Sequence, residues 1–510
     1  MFEKLKNFEK CENNLWWVIF GIIIFFAFLV RMKWFFLNIG LHCDEANLAL
    51  NLFDHSYLEL FLPLDRIQVA PPLFMVLSKF VYNLAYLHYT PDFSDMVLRL
   101  VPFAAGLIAV PLFGYLVYSI YKNNFLTALG MSVLAFSSPV IAYSVTFKQY
   151  SFEVLVTIIL LLIFVKLDYT NLFSKKNILS FLGVIICLYC SMTSAFILFG
   201  CVVYLLYQIV KTKQYNKLGL ISLIILTIFL LYLKLTILPV YSAHGSEMNN
   251  FWHSTSISYF SLKSYIYALI NYIYRDGFHL CNSFIIAFAF VYLFIFGLLK
   301  DRMIFCLTVL PVMVLFVLQK FDIYPNSERL LLFIFPVVII SFFYILKDIV
   351  FKNRIIYFAI IAVSIIMGFY NTCGDNELVT KQEPSKSAWQ YLNENINEDT
   401  VIFFGNSYSS NLYYSHFYPN LKINNSNVLG IVEHDIVKDR NVSSKFKQNF
   451  VNLKSGKYCI IFTREKFLAM KYAKYIKARS YNYKEIEIVP YCGYENPESE
   501  NAIIMQFEIK

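Results

Sequence analysis

From Leu15 onward the chain alternates between apolar runs of about 20 residues, almost free of charge, and short polar breaks. Runs of that length cross a ~30 Å hydrocarbon core as helices, since a helix satisfies its own backbone in lipid. After the first, further runs lie at 97–121, 124–143, 151–167, 177–191, 194–210, 218–240, 283–299, 303–319, 330–346 and 355–371, which predicts eleven spans. The stretch 177–210 decides the parity. As one helix its 34 residues extend about 51 Å, well beyond a bilayer core. Ser191-Met192-Thr193-Ser194 interrupts it. With two spans there, Lys4/Lys6/Lys10, Lys122, Lys166/Lys175/Lys176, Lys211/Lys213/Lys217, Lys300/Arg302 and Lys347/Lys352/Arg354 all fall on one side, as the positive-inside rule requires.

No small-residue cleavage site closes the first run, so it reads as a retained signal anchor with a cytoplasmic N-terminus. An odd number of spans then places residues 373–510 outside, with the loop 39–96, the turn 144–150, the loop 241–282 and the turn 320–329. The predicted architecture is an α-helical polytopic membrane protein, residues 1–372, followed by a small extracytoplasmic α/β domain, residues 373–510. In that tail Val401–Phe404, Tyr458–Phe462 and Ala502–Ile509 read as strands, and Arg464–Ala478 has helical spacing. No GxGxxG or P-loop follows any strand, so a docking or lid role fits the tail better than nucleotide binding.

Composition agrees: 58% of residues are hydrophobic and 15% charged, which excludes a disordered chain. The net charge of +9 sits in the front part, where 26 Lys+Arg face 18 Asp+Glu; from Cys373 onward the count is 17 against 16. The surplus lies in short loops and reports topology, not a nucleic-acid partner. Cys187 and Cys190 have CxxC spacing but sit inside an apolar run. Cys43, Cys281, Cys373, Cys459 and Cys492 face outside, where a disulfide is chemically allowed.

Candidate chemistry gathers at the outer ends of spans. Directly after the first span comes Leu41-His42-Cys43-Asp44-Glu45-Ala46-Asn47. Ala46, Ala49, Leu50 and Phe53 fall at helical spacing opposite Glu45, Asn47, Asn51 and Asp54, which predicts a helix lying along the interface with Asp44 at its start. The local pattern leaves two readings of Asp44, an N-cap or a catalytic base. Asp44 and Glu45 are adjacent and point in different directions, so they do not suit the facing acid/base pair of a glycosidase. Then come Asp65-Arg66-Ile67-Gln68-Val69-Ala70-Pro71-Pro72-Leu73, Arg99 at the start of the second span, Lys148-Gln149-Tyr150 before the fourth, and Arg329 before the tenth. Arg99 has snorkelling as its bland reading. Outer cations at three spans otherwise ask for an anionic partner, and a lipid-linked phosphate is the obvious one. His42-Cys43-Asp44 lacks a fixed metal-ligand spacing.

This ordered set resembles the GT-C superfamily of integral-membrane glycosyltransferases, and within it the family 39-like bacterial branch related to protein mannosyltransferases and lipid A aminoarabinose transferases. Asp44-Glu45 matches that branch's Asp-Glu pair after span one, and Pro71-Pro72-Leu73 its Pro-Pro-Leu segment. Arg99-Leu100-Val101-Pro102 matches loosely its Arg-Leu-Pro at span two. Ser138-Pro139 is present, but Lys148-Gln149-Tyr150 stands where the branch has Arg-Pro-Tyr, and Arg329-Leu330 lacks the following Tyr. The Lys148 exchange keeps the charge and loses bidentate geometry. The resemblance runs from about residue 15 to 350.

It implies inverting transfer of a sugar from a polyprenyl-phosphate donor to an acceptor hydroxyl of a lipid, glycan or protein on the outer face of the plasma membrane, without a cofactor. Asp44 would take the hydroxyl proton, and Glu45 would hold a cation or sugar hydroxyl. Arg66, Gln68, Arg99, Lys148, Tyr150 and Arg329 are the candidates for holding the substrate, the cations among them stabilising the departing phosphate. The rival reading is a transporter or flippase for a lipid-linked or anionic solute. Transporters place ionisable groups near the bilayer midplane, whereas these spans read as clean apart from Lys234.

Overall fold

The computed structural model describes residues 2–85, 90–255, 300–320, 324–325, 328–347, 354–374, 384–405, 408–424, 444–462, 466–488 and 502–510. It forms two compact units. The first comprises Met1–Lys33, Ser56–Ser78 and Leu100–Gly374, the second Trp34–His55, Lys79–Arg99 and Asp375–Lys510. The second unit therefore contains two stretches of the front part, including much of the loop 39–96, together with the tail.

The helices are α1 (Phe2–Leu37), α2 (Cys43–Asp54), α3 (Pro72–Leu84), α4 (Pro91–Tyr121), α5 (Asn124–Ala135), α6 (Ser138–Ser144), α7 (Tyr150–Lys166), α8 (Lys175–Cys190), α9 (Ser194–Lys211), α10 (Tyr215–Tyr232) and α11 (Leu238–Thr255). A π turn at Leu233–Ile237 joins α10 to α11. Another, Phe305–Val309, leads into α12 (Leu310–Lys320). A 3-10 turn, Glu328–Ile334, leads into α13 (Phe335–Leu346), and α14 is Arg354–Gly374. Every predicted run coincides with one of these helices or a broken pair, except 283–299, which lies outside the described residues. α8 and α9 are separate, with the break at Ser191–Thr193. Among the described residues four helices are long and apolar enough by themselves to cross a membrane: Asn14–Leu37, Pro91–Tyr121, Ser194–Lys211 and Tyr215–Met248. The α5–α6 pair, bent by 58°, adds a fifth. The remaining runs are shorter helices or are interrupted by π or 3-10 turns, so helix length alone identifies fewer spans than the predicted eleven.

The α5–α6 bend has a chemical cause. Pro139 has no N–H to offer Ala135 O four residues back. Nη1 of the fully buried Arg31 donates to that carbonyl at 2.9 Å. The spans are therefore less clean than their hydropathy suggests: Arg31 in α1 and Glu153 in α7 are buried ionisable groups inside apolar runs.

The tail carries α15 (Ser385–Asn395), α16 (Tyr408–Ser415), α17 (Ser444–Val451) and α18 (Lys466–Lys477) around a five-stranded sheet. Its strands are β1 (Val401–Phe404), β2 (Lys422–Ile423), β3 (Gly456–Phe462), β4 (Tyr481–Ile488) and β5 (Ala502–Ile509), in the order β2-β1-β3-β5-β4. β1 pairs in parallel with β2 and β3, while β5 runs antiparallel to β3 and β4. Tyr458–Phe462 is buried throughout, as a central strand covered on both faces requires. Edge strand β4 is mostly exposed, and its alternation, Tyr481 and Tyr483 and then Ile486 and Ile488, changes phase at Lys484-Glu485, beside the register shift in its pairing with β5.

Candidate active site

The site residues divide between the two units. In the second, α2 starts at Cys43 and its N-cap is His42, so Asp44 is the second residue of the helix and not its cap. His42 Nδ1 accepts the Asp44 N–H at 3.3 Å, and Glu45 Oε2 accepts the His42 N–H at 3.1 Å. This is a capping box with histidine in the usual Ser/Thr place. Both carboxylates stand in the first turn, where the helix dipole favours negative charge. The expected interface helix with one exposed polar face is not observed. Glu45 is 4% exposed and Asn51 0%, because α2 packs on α16. Phe53 stacks on Tyr413 at 5.7 Å. Asp44 remains half-buried.

Glu45 is held by Arg99. The guanidinium Nε and Nη2 reach the Glu45 carboxylate at 3.3 Å, and Nη1 donates to Ile39 O at 2.6 Å. Arg99 is only 4% exposed, so it does not snorkel. Sequence reading missed the group beside it. Asp95, wholly buried, accepts from Tyr413 OH at 3.0 Å and Tyr414 OH at 2.9 Å and lies 3.3 Å from Lys386 Nζ. A buried carboxylate is tolerable only when charge and lone pairs are matched, as they are here. Burial, and next the Asp95 carboxylate, holds both phenols well above their usual range, so they stay neutral donors. No local pattern signals this cluster, because its tyrosines are 318 and 319 residues from Asp95 in sequence.

In the first unit, the segment before α3 meets the turn before α7. Arg66 and Ile67 have φ of 59° and 55°, two consecutive left-handed non-glycine residues. That kink sets Gln68, whose Oε1 accepts from Lys148 Nζ at 2.8 Å, while Gln149 Nε2 donates to Val69 O at 3.2 Å. Phe74, just past Pro71-Pro72-Leu73, stacks on Phe147 at 6.0 Å, so α3 and the Lys148 turn share a wall. Tyr150 is turned inward: it belongs to the apolar core and meets Tyr143 edge-on at 4.9 Å. Arg329 sits half-buried in the 3-10 turn that packs on α7. Glu153, buried one turn into α7, was also missed, although a carboxylate in a span is a recognisable signal. Burial, then the Glu153 carboxylate, pushes the Tyr324 phenol well above its usual range, and Tyr324 OH donates to Leu330 O at 2.8 Å.

Among the described residues no three His, Cys, Asp or Glu side chains gather to hold a metal ion. Cys459 is a buried free thiol in β3; Cys281 and Cys492 lie outside the described residues, as does the Cys373 side chain.

No family model matches the sequence, and no curated protein does. Solved structures do match in shape. The Archaeoglobus fulgidus oligosaccharyltransferase, solved with zinc and sulfate, aligns at TM-score 0.46 and 12% identity, over 86% of this chain and 67% of its own. ArnT from Cupriavidus metallidurans without ligand aligns at 0.48 and 12% identity, over 95% and 98% of the two chains. ArnT from the same organism bound to undecaprenyl phosphate aligns at 0.52 and 11% identity, over 96% and 98%. This last likeness spans nearly the whole of both chains, and at such low identity it speaks to fold. The chain shares its fold with this ArnT structure.

Proposed function

We propose that this protein transfers a sugar, with inversion, from a polyprenyl-phosphate donor to an acceptor hydroxyl at the outer face of the plasma membrane. The observation that carries the reading is the unequal burial of two adjacent carboxylates. Glu45 is 4% exposed and ion-paired with Arg99, and Asp44 is half-buried in the first turn of α2. The first is the cation-holding acid and the second the base that takes the acceptor proton. A phosphate monoester has its second pKa at about 6 and leaves without a strong acid, so the reaction asks for one base and for cations that bind the phosphate.

Lys148, oriented by Gln68, stabilises the charge of the departing phosphate, assisted by Arg329 and Arg66. We assign Arg99 to Glu45 and not to the donor, since its nitrogens already serve Glu45 and Ile39 O. Tyr150 supports the Lys148 turn from the core side. Undecaprenyl phosphate in the fold-related ArnT structure supports a polyprenyl-linked donor. In this reading the N-terminus is cytoplasmic, residues 1–372 form the membrane domain, and 373–510 form an extracytoplasmic domain.

The test is transfer by purified protein from a synthetic short-chain polyprenyl-phosphate sugar. Asp44→Asn is expected to lower the rate at least about a hundredfold while the protein accumulates normally. Near-normal transfer by Asp44→Asn would overturn the assignment of the base.

A further inference from the structure

The segment Asn38–His42, between α1 and α2, is hydrogen-bonded at nearly every residue, and several of its backbone groups are held by side chains from outside the segment. Asn38 is left-handed, with φ of 46°, and its Nδ2 donates to Asp92 O at 2.9 Å. Asn38 O accepts from Lys386 Nζ at 3.1 Å. Ile39 O accepts from Arg99 Nη1 at 2.6 Å, and His42 N donates to Glu45 Oε2. The Leu41 N–H donates to Tyr414 OH at 2.7 Å, and the same hydroxyl donates to Asp95 Oδ2 at 2.9 Å. Two of these partners, Lys386 and Tyr414, come from the tail. Their helices α15 and α16 are locked together by the buried Trp389, whose Nε1 donates to Asn411 Oδ1 at 3.0 Å.

We infer that Tyr414 is a positioning residue: its hydroxyl, held between Asp95 and the Leu41 N–H, fixes the first turn of α2 and with it the carboxylate of Asp44. The tail is thereby a working part of the outer-loop site and not an appended module. The inference rests on the reading of Asp44 as the base. Its physical basis is that a side chain on the second residue of a helix is aimed by the two or three residues before that helix. A hydroxyl that accepts from one group and donates to another leaves its neighbours little freedom, whereas a ring without it leaves a buried N–H unmatched.

The experiment compares the full chain in detergent with Tyr414→Phe and with Tyr458→Phe. The latter removes a tail hydroxyl that, among the described residues, donates to Lys454 O at 2.7 Å, far along the sequence from this segment. Backbone amide exchange over residues 38–46, read by mass spectrometry, is expected to quicken about tenfold in Tyr414→Phe and to stay at wild type in Tyr458→Phe. In the transfer assay Tyr414→Phe should lose roughly ten- to a hundredfold in kcat with donor KM within about twofold, because misplacement of a base acts on the chemical step. If Tyr414→Phe fails to accumulate, Lys386→Gln, which releases Asn38 O, should quicken exchange in the same segment. Unchanged exchange over 38–46, or a lowered melting temperature with unchanged kcat, overturns the inference. A wild-type chain inert toward every lipid-linked donor, with exchange still quickened by Tyr414→Phe, overturns the functional reading and supports the tether.

Discussion

Glu45 and Arg99 illustrate how a residue's meaning changes once its neighbour is known. In sequence Arg99 is a cation at the mouth of a span; in the structure it is buried against Glu45 with all three nitrogens occupied. Removing one member of such a pair leaves an uncompensated buried charge. Glu45→Ala should therefore lower stability by about 3 kcal/mol, and Glu45→Leu combined with Arg99→Met by less than the sum of the two alone, measured by thermal melting in detergent. Additive losses would mean that the pair is not coupled. Lys148 differs in that its Nζ donates to the neutral Gln68 Oε1 at 2.8 Å. Lys148→Ala should raise donor KM and slow transfer about tenfold, whereas Lys148→Arg should keep most activity, as the charge survives. Equal rates for wild type and Lys148→Ala would remove this residue from the donor site.

Among elements, the close approach of α9 to the π turn Phe305–Val309 depends on one missing side chain. A Cβ at Gly200 would stand 2.0 Å from Cys306 O, a backbone atom with nowhere to go. Gly219 in α10 has nothing within 4 Å. Gly200→Ala should thus destabilise by about 2 kcal/mol, and Gly219→Ala should be neutral or stabilise by about 0.5 kcal/mol, through helix propensity alone. Comparable melting temperatures for the two would contradict the close packing of these elements. Both glycines look alike in sequence, each lying in a helical apolar run. The same holds for the α5–α6 break. Ser138-Pro139 announces it, but the donor that answers Ala135 O is Arg31, more than a hundred residues earlier.

At the scale of the whole molecule, the tail's share in the second unit leads to a deletion test. Ending the chain after Gly374 takes Lys386, Tyr413 and Tyr414 away from Asp95 and leaves a buried carboxylate unmatched. The truncated protein should insert and then be degraded, with its level at least about fivefold below full length by immunoblot. Normal accumulation would mean that the outer loop does not need the tail. Alkaline phosphatase fused after Lys510 should be active in a bacterial host if the eleven spans expected from the sequence and the positive-inside rule hold; an inactive fusion would reverse the topology.

What the chain reveals by itself is whatever depends on local period and composition. Apolar runs mark helices because a backbone in lipid must satisfy itself, and Tyr458–Phe462 and Ala502–Met505 are legible because burial on both faces leaves an unbroken apolar stretch. Asp44-Glu45 stood out as adjacent acids beside a span. The tertiary structure decided that Glu45 is buried against Arg99. It also decided that His42 caps α2, that Tyr150 faces the core, and that Asp95 is matched by side chains some three hundred residues away. The desolvation cost of a buried charge is met only by partners in three-dimensional contact, and sequence spacing carries no record of contacts made across that distance.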